Sequence, residues 1–244
     1  MTYNNYKNLK DSKFLVIGAN GGIGSGIVSN LKDFCAPENI IEISRSKMHS
    51  KQLQMDMLDE QSIESCSNSV KDQIGSIDII VNATGLLHTK KHKPERTYGE
   101  ISINYLREIF EINTFSPFLI AKYFTPLLSK DSKSIIAFLS ARLGSISDNN
   151  LGGWYSYRSS KSALNMLIKT LSLELSYKNK KAICIGLHPG TVDTNLSSPF
   201  TPKLQKKNLF TKEHSAQLLL QILNNVDYQS HGCIIDWQGK IIPS

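Results

Sequence analysis

A short apolar run, Phe14-Leu15-Val16-Ile17, passes directly into Gly18-Ala19-Asn20-Gly21-Gly22-Ile23-Gly24, and helical apolar spacing continues from Ile23 to Leu31. Few folds accommodate a strand that becomes a helix across so many glycines. The spacing at Gly18, Gly22 and Gly24 is GxxxGxG. Glycine at these places allows a sharp turn and a close approach of the backbone to a pyrophosphate. The free N–H groups and the positive end of the helix then face the anion. The position between strand and helix separates this turn from an ordinary tight connection.

The rest of the chain keeps the same alternation. Apolar runs at Ile40–Ile43, Leu53–Met57, Ile77–Val81, Ser134–Leu139, Ala182–Leu187 and Gly232–Asp236 predict strands. Ile77–Val81 is apolar at nearly every position, as a strand buried on both faces requires. Helical spacing is found over 59–71, 98–111, 116–128, 155–177 and 212–223. This order predicts an α/β chain: a single-domain, doubly wound Rossmann fold with a parallel sheet of about seven strands and helices on both faces. Residues 1–12 read as a polar N-terminal segment and 13–244 as the domain. The stretch 191–211 lacks a clear period, carries Pro199 and Pro202, and reads as a substrate loop.

Composition narrows the class. The 244 residues are 40% hydrophobic and 20% charged, enough for a sizeable core and too apolar for disorder. No run of about 18 apolar residues predicts a membrane helix, and MTYNNYKNLKDSK lacks the apolar core of a secretory signal. Net charge is 28 − 21 = +7, but the cations are scattered. The densest group, Lys90, Lys91, His92, Lys93 and Arg96, reads as a solvated loop, and no nucleic-acid motif accompanies it. Four cysteines, Cys35, Cys66, Cys184 and Cys233, show no metal spacing, so packed thiols in a reduced cytoplasm are the expectation.

The second strand ends Ile43-Ser44-Arg45-Ser46. With no carboxylate at its tip to repel a 2′-phosphate, and Arg45 available to pair with one, NADP(H) is favoured, with NAD(H) as the alternative. Glu42 is a counter-signal further back on the strand. Tyr157 and Lys161 stand four apart at the start of a helical stretch and share one face. A nearby ammonium favours the phenolate and tunes the tyrosine for proton exchange with a carbonyl oxygen. Ser140 closes a strand at the edge where ligands of open α/β sheets bind, and its hydroxyl can donate to the same oxygen. Asn113 precedes Pro117 in a helical region, where its amide can hold a water or disturb the helix. Asn82 ends the fourth strand and reads as a tie between strands.

Taken in order, the GxxxGxG turn, Asp56, Asn82-Ala83-Thr84-Gly85, Asn113, Ser140, Tyr157/Lys161 and Pro189-Gly190-Thr191-Val192-Asp193-Thr194 resemble the short-chain dehydrogenase/reductase family over nearly the whole chain. Residues 140–146, 152–155 and the closing 236–243 look like its C-factor-like carbonyl reductase branch. The resemblance implies a carbonyl reductase with Tyr157 as general acid, Lys161 holding the nicotinamide ribose, Ser140 orienting the carbonyl and Asn113 keeping a relay water. It implies that Gly18, Asn20, Gly22, Ile23 and Gly24 meet the cofactor phosphates, and that Asp56 and Met57 meet the adenine. Asn82, Ala83 and Gly85 then line the cofactor, and Pro189, Gly190, Val192 and Thr194 border the nicotinamide. Gly21 stands where NADP-preferring members often carry a cation, which leaves Arg45 as the main partner of a 2′-phosphate.

Trp154 and Tyr155 read as pocket wall or as packing, Arg142 as an anion contact or a loop cap, and His188 as a structural histidine near the nicotinamide. The expected partner is a small carbonyl or alcohol substrate, without nucleic acid or membrane, and the resemblance implies a homodimer or homotetramer. Two other functions compete: a nucleotide-binding signalling protein of C-factor type with little turnover, and an epimerase or dehydratase using the same Tyr/Lys pair.

Overall fold

The near-continuous apolar runs become strands covered on both faces. The computed structural model describes residues 6–200 and 209–244. In chain order the elements are β1 (Phe14–Ile17), α1 (Gly22–Leu31), β2 (Ile40–Ser44), β3 (Leu53–Gln54), α2 (Glu60–Ile74), β4 (Ile79–Asn82) and α3 (Ile103–Phe110). There follow α4 (Ser116–Phe124), β5 (Ser134–Leu139), α5 (Tyr155–Lys178), β6 (Ala182–His188), α6 (Lys212–Asn225), β7 (Ile234–Asp236) and β8 (Ile241–Ile242). The sheet order is β3-β2-β1-β4-β5-β6-β7-β8. Seven strands run parallel, as expected. The eighth, β8, is antiparallel to β7; Gly239, at φ 81°, and the Asp236 carboxylate, accepting from the Gln238 and Lys240 N–H groups, turn the chain back.

Period-two alternation divides the core. Leu15, Ile17, Ile80, Ile136 and Phe138 pack against α2, α4 and α5, while Phe14, Val16, Ile79, Val81 and Ala137 pack against α1 and α6. Helices α1 and α6 meet closely because Gly26 is bare: a Cβ there would lie 2.5 Å from the Lys212 carbonyl oxygen. The polar N-terminal segment also joins this layer. Leu9 is buried, and Tyr6 stacks on Phe34 with centroids 4.6 Å apart.

One helical expectation is redrawn. The stretch 98–111 starts late: Tyr98–Glu100 is a 3-10 turn and Ser102, in extended conformation, precedes α3. After α3 the chain widens into a π-helical turn, Glu111–Phe115, before α4. Pro117 explains this. Without an N–H it cannot donate to the Asn113 carbonyl in the α register, and its ring crowds that carbonyl. Asn113 therefore sits on a local widening.

Strand order reverses between β1 and β4, which lie side by side while their onward connections leave in opposite directions. Open α/β sheets bind ligands in the crevice at such a point.

Candidate active site

A cleft of about 680 Å³ opens there, over the carboxyl ends of β1, β2 and β4. Gly18, Asn20, Arg45, Asp56, Met57, Ala83 and Gly85 all line it. Gly18 has φ 84°, a conformation that suits glycine, and its N–H donates to the Ile43 carbonyl. Gly24 packs directly on the turn: a Cβ there would lie 2.1 Å from the Gly18 carbonyl oxygen. No side chain caps α1 and no acidic residue occupies its first turn. Gly22 and Ile23 open that turn. The dipole's positive end is therefore left for an external anion.

The remaining turn contacts come from polar side chains. Asn20 donates its N–H to Ser44 Oγ at 3.1 Å and its side-chain amide to the Ser46 carbonyl at 2.7 Å. Gln52, fully buried, donates to Asn20 Oδ1 at 2.8 Å and accepts from the Met48 N–H at 2.8 Å. It ties the glycine turn to the loop bearing Arg45. Glu42 is diverted from the cleft: Lys32 lies 3.0 Å from its carboxylate and His49 3.1 Å. Despite the burial that opposes ionisation, these partners hold the carboxyl below its usual value.

Lys161 and Tyr157 are buried on α5, the Lys161 Nζ 5.9 Å from the phenol ring centre. Nζ donates to the Leu139 carbonyl at 2.9 Å. A Cβ on Gly85 would lie 3.6 Å from that Nζ and 3.7 Å from Asn113 Oδ1, so the backbone of β4's exit adjoins both groups. Asn113 clasps Leu86, accepting from its N–H and donating to its carbonyl, each at 2.8 Å, and also donates to Ser160 Oγ. Burial pushes the Lys161 ammonium down to about 8 and the Tyr157 phenol well above its ordinary value. The expected lowering of the phenol by Lys161 is not found here: burial, which penalises the phenolate, sets the direction.

Ser140 is buried, but its hydroxyl donates to Asn165 Oδ1 at 2.6 Å. Asn82 differs from expectation. Among the described residues its side chain bonds no neighbouring strand; its Oδ1 accepts from the N–H and hydroxyl of Thr84, two residues on, the nearest donors to a strand-end amide. On the other side, Thr194 packs against Gly22: a Cβ on Gly22 would lie 2.3 Å from Thr194 Cγ2. Pro189 accepts from Ser215 Oγ, Gly190 has φ 77° against the Phe210 ring, and Val192 bridges to Phe210. Within the 191–211 loop, residues 201–208 lie outside the described residues.

The model of the family described as "short chain dehydrogenase" matches residues 12–205. The chain belongs to that family. Among family relatives, an uncharacterized oxidoreductase of Schizosaccharomyces pombe is 26% identical over 255 residues, covering 94% of this chain and 97% of the relative. The C-signal protein of Myxococcus xanthus is 25% identical over 169 residues, 69% of this chain and 93% of that one. The crystal structure of NADPH-bound carbonyl reductase from chicken fatty liver superposes with a TM-score of 0.83 at 26% identity, covering 97% of this chain and all of that one.

Around Tyr157 and Lys161 stand side chains that the sequence leaves with two roles. Trp154 packs against the cluster of Leu87, Ala141 and Tyr157, its ring 6.3 Å from Tyr157 and 5.1 Å from Phe200. Tyr155 is exposed. Arg142 is held by Asp148 at 2.8 Å and Asp236 at 2.9 Å. Burial, reinforced by Arg142 and opposed by Asp236, pushes His188 down to about 4. Its Nδ1 is buried without a hydrogen-bond partner. Among the described residues no cluster suits a metal ion, and no helix is long and apolar enough to cross a membrane. Sequence reasoning missed Gln52 and Asn165. Only Asn165 carries a periodic signal, one turn beyond Lys161 on the Tyr157 face.

Proposed function

We propose that this chain reduces a ketone or aldehyde to an alcohol, with NADPH as the preferred cofactor and NAD(H) as the lesser one. One observation carries the reading. The uncapped, carboxylate-free start of α1 adjoins a cleft whose lining includes Gly85, and Lys161 and Asn113 stand behind Gly85, with the Tyr157 ring 5.9 Å from Lys161 Nζ. The NADPH-bound relative supports the choice of cofactor.

A nicotinamide dinucleotide fits these residues. Gly18, Gly22, Ile23 and Gly24 would take the pyrophosphate, with Asn20 holding the turn. Arg45, exposed on the rim, would pair with a 2′-phosphate. Asp56 and Met57 would border the adenine, with Asn82 shaping the Ala83–Gly85 exit beside it. Pro189, Gly190, Val192, Thr194 and Lys161 would border the nicotinamide half. When bound, the reduced nicotinamide supplies the hydride to the carbonyl carbon.

The chain's own groups supply the rest. A phenol raised by burial keeps its proton at neutral pH, so Tyr157 Oη is a proton donor for the carbonyl oxygen. As the proton leaves, the Lys161 ammonium stabilises the phenolate. Ser140 orients the carbonyl by turning its hydroxyl from Asn165 towards the substrate oxygen. Asn113 fixes Leu86, and with it the backbone beside Lys161. Trp154 and Phe200 supply the apolar wall that excludes water.

The reading extends to setting and assembly. Four free cysteines favour the reducing cytoplasm. Phe118 on α4 and Met166 and Leu173 on α5 are exposed, which favours self-association through these helices; sedimentation velocity checks it.

The decisive experiment follows NADPH oxidation against a panel of aldehydes and ketones. Tyr157→Phe is expected to lower kcat by about a hundredfold to ten-thousandfold, the range of general acid catalysis, while leaving the Kd for NADPH unchanged. Equal activity of the two proteins would refute the assignment.

A further inference from the structure

We propose that Glu95 is a positioning residue that sets the start of the catalytic helix from a distant loop; the inference rests on the carbonyl reductase reading and names a residue that this reading does not use. Glu95 is 1% exposed, the most deeply buried carboxylate among the described residues. Its side chain accepts from the Ser156 N–H at 3.2 and 3.3 Å and from the Ser156 hydroxyl. Its backbone carbonyl accepts from the Trp154 N–H. One residue thus holds both neighbours of the first helical position.

The local backbone explains why such a brace is needed. Gly152, Gly153 and Trp154 have φ 64°, 63° and 53° in succession, and Trp154 is the one non-glycine residue with positive φ among those described. A bulky side chain in that region is strained, and strain persists only where surrounding bonds over-determine it. Trp154 occupies the N-cap position of α5 and cannot cap it, since indole offers no acceptor. The first-turn N–H groups of α5 would be orphaned at a buried end. Glu95 supplies the missing acceptor and places a carboxylate at the positive end of the helix.

The consequence reaches the reacting groups. Tyr157 directly follows Ser156, and the Trp154 ring stands edge-on to the Tyr157 ring, centroids 6.3 Å apart. Glu95 also comes from the loop that Asn113 clasps at Leu86 and that Tyr105 grips through the Leu87 carbonyl at 2.6 Å. The loop after β4 is therefore pinned to the catalytic helix at one end and to the π-turn at the other. Fixing Glu95 fixes the acid and the Trp154 ring together.

The test compares wild type with Glu95→Ala, Glu95→Gln and Ser156→Ala, using NADPH and 4-nitrobenzaldehyde as the probe carbonyl. Hydrogen–deuterium exchange is read over residues 152–160, and NADP+ affinity by calorimetry. Expected for Glu95→Ala is a fall in kcat of about tenfold to a hundredfold, the scale of a misplaced catalytic group, with NADP+ affinity unchanged and faster exchange at the start of α5. Glu95→Gln, which keeps an acceptor for the Ser156 N–H, restores most of the loss, and Ser156→Ala shows a smaller one. Wild-type kcat in Glu95→Ala, even with a lowered melting temperature, would reduce Glu95 to a structural residue. If wild type fails to turn over the probe, the reductase reading is in question, while exchange over 152–160 still decides the positioning: unchanged exchange in Glu95→Ala overturns it.

Discussion

The N-termini of α1 and α5 obey the same electrostatics and meet opposite fates. Helix α1 begins on glycines, with no capping side chain and no acid in its first turn. Helix α5 begins on a left-handed Trp154, also without a cap of its own, but receives the buried Glu95 carboxylate from another loop. Elsewhere the chain caps helices locally, Asp59 at α2 and Thr211 at α6. A helix end left open at a cleft is a binding site for an external anion. A helix end closed by an internal anion holds its first residues still. On the proposed reading the first arrangement would serve the cofactor, and the second the phenol.

The difference is broken most severely at Gly24. A Cβ there would overlap the Gly18 carbonyl oxygen, so the turn must shift rather than a flexible side chain. Gly24→Ala is expected to weaken NADPH by about a hundredfold, equivalent to losing one or two hydrogen bonds to a charged group. It also costs about 1–3 kcal/mol of stability through overpacking. Calorimetric titration and urea unfolding read the two effects. Unaltered affinity would mean that the open end of α1 is not where the anion binds.

The two ends also differ in how far the sequence announces them. The α1 site is legible because all its requirements are local: an apolar strand, glycines in register, then helical spacing. Tyr157, Lys161 and Asn165 follow from one helical period, although Asn165 becomes meaningful only once β5 brings Ser140 to it. Glu95 is illegible. Among Lys90, Lys91, Lys93 and Arg96 a carboxylate reads as one more solvated charge, and only the path of the loop over α5 buries it. Gln52 is hidden for the same reason, since its partners lie on the glycine turn and on the loop after β2. The π-turn at Asn113 is half legible: Pro117 announces a disturbance, but not that the chain widens instead of kinking.

A smaller effect sharpens the account of the open end. Arg45 lies on the rim of the cleft, and the Glu42 carboxylate is occupied by Lys32 and His49. Arg45→Ala should raise the Kd for NADPH about tenfold, one charge-assisted bond, and leave that for NADH unchanged. Gln52→Leu should weaken both cofactors, because it loosens Asn20 and the Arg45 loop together. Equal losses for the two cofactors in Arg45→Ala would remove the 2′-phosphate assignment.

The smallest effect concerns the closed end, where α5 carries a buried cation one turn beyond Tyr157. Burial takes Lys161 from 10.5 to about 8 in the folded chain. Between these values the lysine binds its proton more fully in the unfolded chain than in the folded one, so its own contribution to stability rises with pH across that window. Tyr157 acts oppositely, because its raised phenol makes the folded chain the better proton binder above its ordinary value of 10.0. Cys35, Cys66 and Cys184, raised by burial from 9.0, oppose the lysine already between about pH 8 and about pH 9.5, so within that interval only the difference from a Lys161 variant isolates the ammonium. Urea unfolding of the cofactor-free protein across the same interval should show wild type gaining on the order of 1 kcal/mol relative to Lys161→Met, which cannot titrate there. Losing the Leu139 contact shifts Lys161→Met by a pH-independent amount, so only the slope is diagnostic. Parallel profiles would mean that the ammonium keeps its water, and that the closed end of the site is wetter than its packing implies.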